Sequence, residues 1–421
     1  MKILLVVNIP LPETSELFNL KVGNSGGWLI GLINSLTSYS NIELNVAFPL
    51  KGNKVIKRTG KKINYYSFPQ YKNKEYSPNI YDDKFENILK DVKPDLVHVF
   101  GTELPHSLAI VNTCNRNGVV SIVSIQGLVS KIHEHFYSDL PKSVIHKSTI
   151  RNVIRRDNIK NLKKLYFRLS KNEHELLRRT SYVIGRTTFD KAYVTQVNPN
   201  VKYYSCNESL RDAFYEGEQW QIETKENHSI FLSQAHYSIK GAHYMIEALS
   251  IVLEKYPDAK VYIGGKDITK SNSLKDKLII TYYGKYIKNM ICDFGLTEKV
   301  IFTGPLSEQE MYQRYIESHV FVCPSSIENS PNSLGEAMIL GVPSIASYVG
   351  GIPDMLKDKE DGFLYQHDAP YMLAHYICEI FENRDLALKF SINAREHALK
   401  THDRNENTRS LIEIYNKIVS Q

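Results

Sequence analysis

The chain has 421 residues, 42% of them hydrophobic and 23% charged, which excludes a disordered or fibrous protein and is too long for one ordinary core, so two domains are expected. Five scattered cysteines (Cys114, Cys206, Cys292, Cys323, Cys378) without a C-x-x-C or Cys/His cluster argue for a reducing compartment and against structural zinc. The net charge of +6 is uneven, because residues 131–180 hold 13 Lys/Arg against 5 Asp/Glu and leave the remainder at −2.

Apolar runs such as residues 3–7 are strand length, too short for a membrane span or a signal peptide, so a cytoplasmic location is expected. Residues 2–7 (KILLVV) read as a first strand buried on both faces. A loop holding Gly23-Asn24-Ser25-Gly26-Gly27 leads to a helix over 28–36. Glycines ahead of a helix let backbone approach a phosphate, although a flexible loop explains them as well. Their spacing is not that of the dinucleotide fingerprint. Residues 43–48 read as a second strand, and a Lys-, Asn- and Tyr-rich stretch (51–80) as holding a short edge strand at 64–68. The run KPDLVHVFG (93–101) is a buried strand with Glu103 and His106 beyond its carboxyl end. Another strand, 119–125, ends at Gln126-Gly127.

The basic window 131–180 (including RNVIRRDNIKNLKKLYFRLSK) reads either as a solvated helix face or as a surface for a membrane or an anionic acceptor. No nucleic-acid-binding motif accompanies it. A strand at 181–185 ends at Arg186, which either faces a cleft or is an ordinary surface arginine. Alternating strands and helices over 1–205 argue a doubly wound sheet, and the mixed, charged residues 207–227 read as a linker. A second domain opens with a strand over 229–234, and Lys240-Gly241 stand where the chain turns into a helix. A lysine there suits a diphosphate, whereas without further context it is a surface lysine. Strands at 260–265 and 299–304 flank a mixed insertion, and Ser307-x-x-Glu310 is a structural capping box.

The most informative stretch is 320–354, VFVCPSSIENSPNSLGEAMILGVPSIASYVGGIPD. It reads as a buried strand, a polar loop, a helix over about 333–340 stopped by Gly341-Val342-Pro343, and another strand. In parallel sheets, ligands gather at the carboxyl ends of such strands. Glu328 in the loop and Glu336 in the helix can each accept from vicinal hydroxyls of a sugar or ribose. The amides of Asn332 and Ser333 at the helix start suit a phosphate. Ser333-x-x-Glu336 is also a capping box, which would explain Glu336 alone but not Glu328 or Gly350-Gly351.

The E-x7-E spacing, followed by GVPSIAS and GG, resembles the donor-site signature of retaining family 4 glycosyltransferases. The resemblance is specific over 320–354, moderate at 1–36, 93–103 and 229–265, and thin elsewhere. It implies the GT-B fold, an α/β architecture of two Rossmann-like, doubly wound domains facing across a cleft. Residues 1–205 would be the acceptor-side domain and 206–400 the nucleotide-sugar donor-binding domain. The helix 401–421 would cross back to the first domain. The implied activity is metal-independent transfer from a nucleoside-diphosphate sugar to a saccharide or lipid-linked acceptor, with no cofactor and no nucleic acid, and with peripheral membrane contact through 131–180. A role in bacterial surface polysaccharide biosynthesis is the expected setting.

By the same resemblance Glu328 would hold donor-sugar hydroxyls near the reacting centre and Glu336 the ribose. Lys240, Gly241, Asn332, Ser333, Gly26 and Gly27 would meet the diphosphate, and Glu103, Gln126, Arg186, Gln234 and His236 are candidate cleft residues. Two departures stand out. Ala235 occupies the place of the family's phosphate-binding arginine, and Gln126 stands where members often carry a histidine, so no general base is assigned. Two rival readings are a sugar-nucleotide epimerase of the same fold and a non-catalytic partner that has kept the fold. A dehydrogenase lacks support, because no G-x-G-x-x-G follows either domain's first strand.

Overall fold

In the computed structural model, residues 1–20, 27–71, 78–271 and 273–421 are described. The chain folds as two compact units. Unit 1 comprises Met1–Ser130, Tyr166–Arg211 and His402–Gln421, and unit 2 comprises Lys131–Leu165 and Asp212–Thr401. Most of the basic window therefore belongs with the second unit, although its sequence lies inside the first.

Unit 1 is built on β1 (Lys2–Val6), β2 (Glu43–Leu50), β3 (Ile56–Thr59), β4 (Ile63–Pro69), β5 (Leu96–Phe100), β6 (Ser121–Ser124), β7 (Tyr182–Gly185) and β8 (Lys202–Ser205). Their order is β3-β4-β2-β1-β5-β6-β7-β8, parallel throughout except for the antiparallel β3–β4 pair. The central strands β1 and β5 pair in register Ile3↔Leu96, and their apolar residues are buried on both faces, which is why they read as unbroken apolar runs. The expected edge strand at 64–68 is β4, and it is not an edge. The four-residue β3 (IKRT), exposed along its whole length, covers it, and a strand with no buried face leaves no alternation to read.

The helix Arg404–Val419 lays Leu411, Ile414, Tyr415 and Ile418 into the core formed by Ile3, Leu5 and Leu96. His98 fastens it to the sheet, with Nδ1 2.6 Å from the Tyr415 hydroxyl and Nε2 2.6 Å from Ser124 Oγ. Burial pushes the His98 pKa down to about 3, so the ring is neutral and serves as a hydrogen-bonded core group.

Unit 2 holds β9 (Ser229–Leu232), β10 (Lys260–Ile263), β11 (Val300–Phe302), β12 (Val320–Cys323), β13 (Ser344–Ser347) and β14 (Phe363–Tyr365), ordered β11-β10-β9-β12-β13-β14 and parallel at every pair. The switch point falls between β9 and β12, where ligands of such sheets bind. The stretch read as a linker is structured. It carries the short helix Ala213–Glu216, and Trp220 is buried with its ring N–H donating to the Ser318 carbonyl at 2.7 Å. Ser307 and Glu310 form a reciprocal capping box on the helix Glu308–Glu317. Among the described residues, no helix is long and apolar enough to cross a membrane.

Candidate active site

At the switch point of unit 2, β12 ends in Pro324-Ser325-Ser326 and β9 in Ser233 to Lys240. The two ends are brought together by a close backbone approach. Gly241 has φ +73°, and a Cβ there would lie 1.8 Å from the Pro324 carbonyl oxygen, so only glycine lets the Lys240 turn seat against the β12 loop. The result is an ion pair between residues 88 positions apart, in which Lys240 Nζ donates to Glu328 Oε1 at 2.6 Å. Burial works against the Lys240 charge, and the Glu328 carboxylate outweighs it, so the ammonium is held above its ordinary pKa.

Ser325 Oγ donates to the same Glu328 oxygen at 2.8 Å. Among the described residues, Glu328 Oε2 has no hydrogen-bond partner and the Lys240 ammonium has one acceptor. An ammonium offers three donors and a carboxylate accepts at both oxygens, so the pair retains bonding capacity for a polar ligand. The Glu328 backbone is fixed from the other side. Its carbonyl accepts from the Gly351 amide at 3.1 Å, and a Cβ on Gly350 (φ +52°) would lie 1.8 Å from that oxygen.

The helix after this loop runs Asn332–Ile339, with Pro331 as N-cap and no side-chain cap. The capping box expected from Ser333-x-x-Glu336 therefore does not form, because the helix starts one residue earlier and Ser333 lies inside its first turn. Glu336 is instead buried, 3.3 Å from the Tyr315 hydroxyl, which also lies 2.9 Å from the Ser333 carbonyl. Tyr315, from the helix Glu308–Glu317, is a supporting residue that local reading could not find, since its partner lies on another element, whereas Ser325 supports Glu328 from three residues away in the same loop and was not singled out. Asn332 and Ser333 open the helix beside the Glu328 loop, where backbone N–H groups have no intrahelical partner.

The remaining residues of unit 2 fall in the same region. Gln234 is half-buried at the end of β9, and Ala235 is buried, leaving no cation at the place of the expected arginine. The His236 ring lies tilted against Tyr237, with centroids 4.3 Å apart. It lines a cavity of about 1600 Å³ together with Lys266, Thr303 and Gly304 from the ends of β10 and β11.

In unit 1, Gly26 lies outside the described residues, and Gly27 opens the helix Gly27–Thr37. Gln126 and Arg186, at the ends of β6 and β7, converge on Glu208, which the sequence had not marked. Arg186 Nη1 meets Glu208 Oε2 at 2.7 Å, Gln126 Nε2 donates to Oε1 at 2.7 Å, and Arg186 Nη2 reaches the carbonyls of Ile125 and Gln126. Arg186 is thus neither a surface arginine nor an open cation. Its side chain is only 6% exposed and is spent on its own unit.

Glu103 Oε2 accepts from the Thr102 amide at 3.1 Å, and His106 Nε2 lies 2.7 Å from Asn8 Oδ1. A second unmarked carboxylate, Glu173, is fully buried. It accepts from Thr102 Oγ1 (2.7 Å), the Val129 amide (3.0 Å) and the Ser130 amide (2.8 Å), tying the loops after β5 and β6 together. Burial pushes its pKa up to about 7. The only sequence signal is that Glu173 is one of two acids, with Glu175, within a basic helix.

With the geometry established, comparison with known proteins gives the class. Residues 215–397, nearly the whole of unit 2 outside its inserted segment, match the family of glycosyl transferases group 1. In sequence, an uncharacterised glycosyltransferase of Methanocaldococcus jannaschii is 22% identical over 232 residues, 55% of each chain. A D-inositol 3-phosphate glycosyltransferase of Corynebacterium urealyticum is 23% identical over 183 residues, 43% of this chain and 41% of that one. The matched region thus spans about half the length of these curated relatives. In structure, sucrose-phosphate synthase from Thermosynechococcus elongatus aligns with a TM-score of 0.70 at 16% identity, over 100% of this chain and 99% of its own. Anabaena HepE in complex with UDP and glucose aligns with a TM-score of 0.67 at 16% identity, over 99% of both chains. At these identities the likeness speaks for the fold, which is the GT-B arrangement of parallel-sheet α/β units found in glycosyltransferases.

Proposed function

We propose that the protein is a retaining, family 4 glycosyltransferase that moves a sugar from a nucleoside-diphosphate sugar to a saccharide or lipid-linked saccharide acceptor, in bacterial surface polysaccharide synthesis at the inner face of the membrane. The observation that carries the reading is the Lys240–Glu328 pair, with bonding capacity in reserve, at the switch point beside the start of the helix Asn332–Ile339. It lies inside the stretch that matches the glycosyl transferases group 1 family.

In this proposal the donor is bound without a metal or further cofactor. Breaking the glycosyl–phosphate bond leaves negative charge on the diphosphate. Lys240 and the amides of Asn332 and Ser333 meet that charge as a preorganised electrostatic site. Glu328 accepts from donor-sugar hydroxyls and stabilises the positive character of an oxocarbenium-like transition state, with Ser325 holding its carboxylate in place. Glu336, steadied by Tyr315, accepts from the ribose hydroxyls. The donor phosphate takes the acceptor's proton, so no side chain is assigned as general base.

HepE, whose structure holds UDP and glucose, suggests UDP-glucose as the first donor to try. The buried Ala235 favours one alternative, a non-catalytic protein with a weakened phosphate site. The test is incubation with UDP-, GDP- and ADP-glucose and a saccharide acceptor, with the anomeric configuration of the product read by NMR. A product with the donor's α configuration supports the reading. A β product contradicts retention, and no released nucleotide with any donor favours the non-catalytic alternative.

A further inference from the structure

Two six-residue helices of unit 2, Ile150–Arg155 and Leu274–Ile279, are turned inside out. On the first, Ile150, Val153 and Ile154 fall at i, i+3 and i+4 and share one face, and they are 62%, 67% and 77% exposed. On the second, Leu274, Leu278 and Ile279 are 80%, 53% and 55% exposed. The polar side chains of the same helices, Arg151, Asn152, Arg155, Lys275 and Asp276, line the 1600 Å³ cavity, which of the six aliphatic residues only Ile279 also borders. A single exposed leucine needs no explanation, but six large aliphatic side chains on two adjoining helices mark a surface that something covers.

The orientation is locked by hydrogen bonds. Asn152 is buried, with Oδ1 accepting from the Tyr282 amide at 2.8 Å and Nδ2 donating to Asp157 at 2.7 Å. Thr149 Oγ1 donates to the Ile280 carbonyl at 2.7 Å, joining the start of one helix to the end of the other. Neither helix can roll its apolar face inward without breaking these bonds.

Charge selects the partner. Segment 131–165 carries nine Lys/Arg against three Asp/Glu, so the other 386 residues hold 43 of each and are neutral. The whole net charge of the protein therefore sits in the segment that carries one of the two helices. Arg156, Lys160, Lys164 and Lys277 add exposed or half-exposed cations beside the apolar side chains. A second copy of the chain would bring two such positive segments face to face. A negatively charged surface with an apolar interior satisfies both halves of the arrangement. We infer that this ridge docks onto an anionic lipid bilayer, with the six aliphatic side chains entering the headgroup region and the flanking cations meeting the lipid phosphates. This deepens the membrane-face part of the reading above and does not depend on sugar transfer.

The test is flotation of the full chain with phosphatidylcholine vesicles that contain or lack phosphatidylglycerol. Val153→Ser, Ile154→Ser and Leu274→Ser are combined in one variant, and Arg156→Glu with Lys277→Glu in another. All five positions are exposed, so thermal unfolding should match the wild type in both. The expected result is binding to the anionic vesicles alone, reduced roughly tenfold or more in each variant and weakened by salt. No binding to anionic vesicles at low salt, or equal binding by the serine variant, would overturn the inference. So would a concentration-dependent dimer in sedimentation velocity that the serine variant abolishes. Nucleotide binding, measured separately on the same variants, judges the transferase reading alone.

Discussion

Two cation–carboxylate pairs stand at the carboxyl ends of the two parallel sheets, and they are built for opposite ends. In unit 1, Arg186 meets Glu208 while the same guanidinium reaches two backbone carbonyls and Gln126 holds the second carboxylate oxygen. In unit 2, Lys240 meets one oxygen of Glu328, and the other oxygen has no partner among the described residues. A planar guanidinium with both terminal nitrogens bonded within its own unit, and only its buried Nε without a partner among the described residues, is a structural clamp, whereas a rotatable ammonium with donors to spare can turn to a ligand. Charge at a strand end is therefore weak evidence of a binding site until its hydrogen bonds are counted.

The largest expected effect breaks the clamp. Arg186→Ala strands a mostly buried Glu208 and should cost about 3–5 kcal/mol in denaturant unfolding, with the nucleotide affinity of the folded protein unchanged. A loss of nucleotide binding at full stability would put Arg186 in the site and erase the contrast.

Next comes Glu173, the other carboxylate that unit 1 keeps for itself. Its folded pKa of about 7 lies above the ordinary 4.5, so between those values the native state holds a proton that the unfolded chain has released. Stability should then fall as pH rises from 4.5 to 7, by up to about 3 kcal/mol from this group. His98 and His106, kept neutral by burial, act in the opposite sense below pH 6.5. The readout is accordingly the difference between wild type and Glu173→Gln across pH 4.5–7.5. A difference independent of pH would contradict the assignment.

Lys240→Met should differ from Arg186→Ala in its effect on binding. Nucleotide affinity should drop by ~2 kcal/mol through loss of a charge-assisted bond, on top of the unfolding cost of leaving Glu328, 13% exposed, with Ser325 as its remaining side-chain partner. Gly350→Ala sharpens the same point. Left-handed backbone and a Cβ against the Glu328 carbonyl should cost about 1–2 kcal/mol in thermal unfolding and shift the loop that presents Glu328.

The strand–loop–helix–strand unit around Glu328 and Glu336 was legible because strand, turn and helix signals are local and fall in succession there. What could not be read is what distance along the chain conceals. Lys240 and Glu328 are 88 residues apart, Tyr315 supports Glu336 from a neighbouring helix, and Arg186 finds its partner in a stretch read as linker. The polar strand β3 carries no periodicity, so the sequence alone makes β4 an edge. The basic window was visible as charge, but its outward apolar face emerges only when the helix Leu274–Ile279, which starts 124 residues after the helix Ile150–Arg155, is set beside it.

The most direct test of the central claim is titration calorimetry of the protein and its Glu336→Ala variant with UDP, GDP and ADP. The account predicts micromolar binding of one nucleotide, weakened by ~1.5–3 kcal/mol in the variant as the ribose loses its carboxylate. Absence of binding by all three, or equal binding by wild type and variant, would contradict it and leave Glu336 as a buried structural partner of Tyr315.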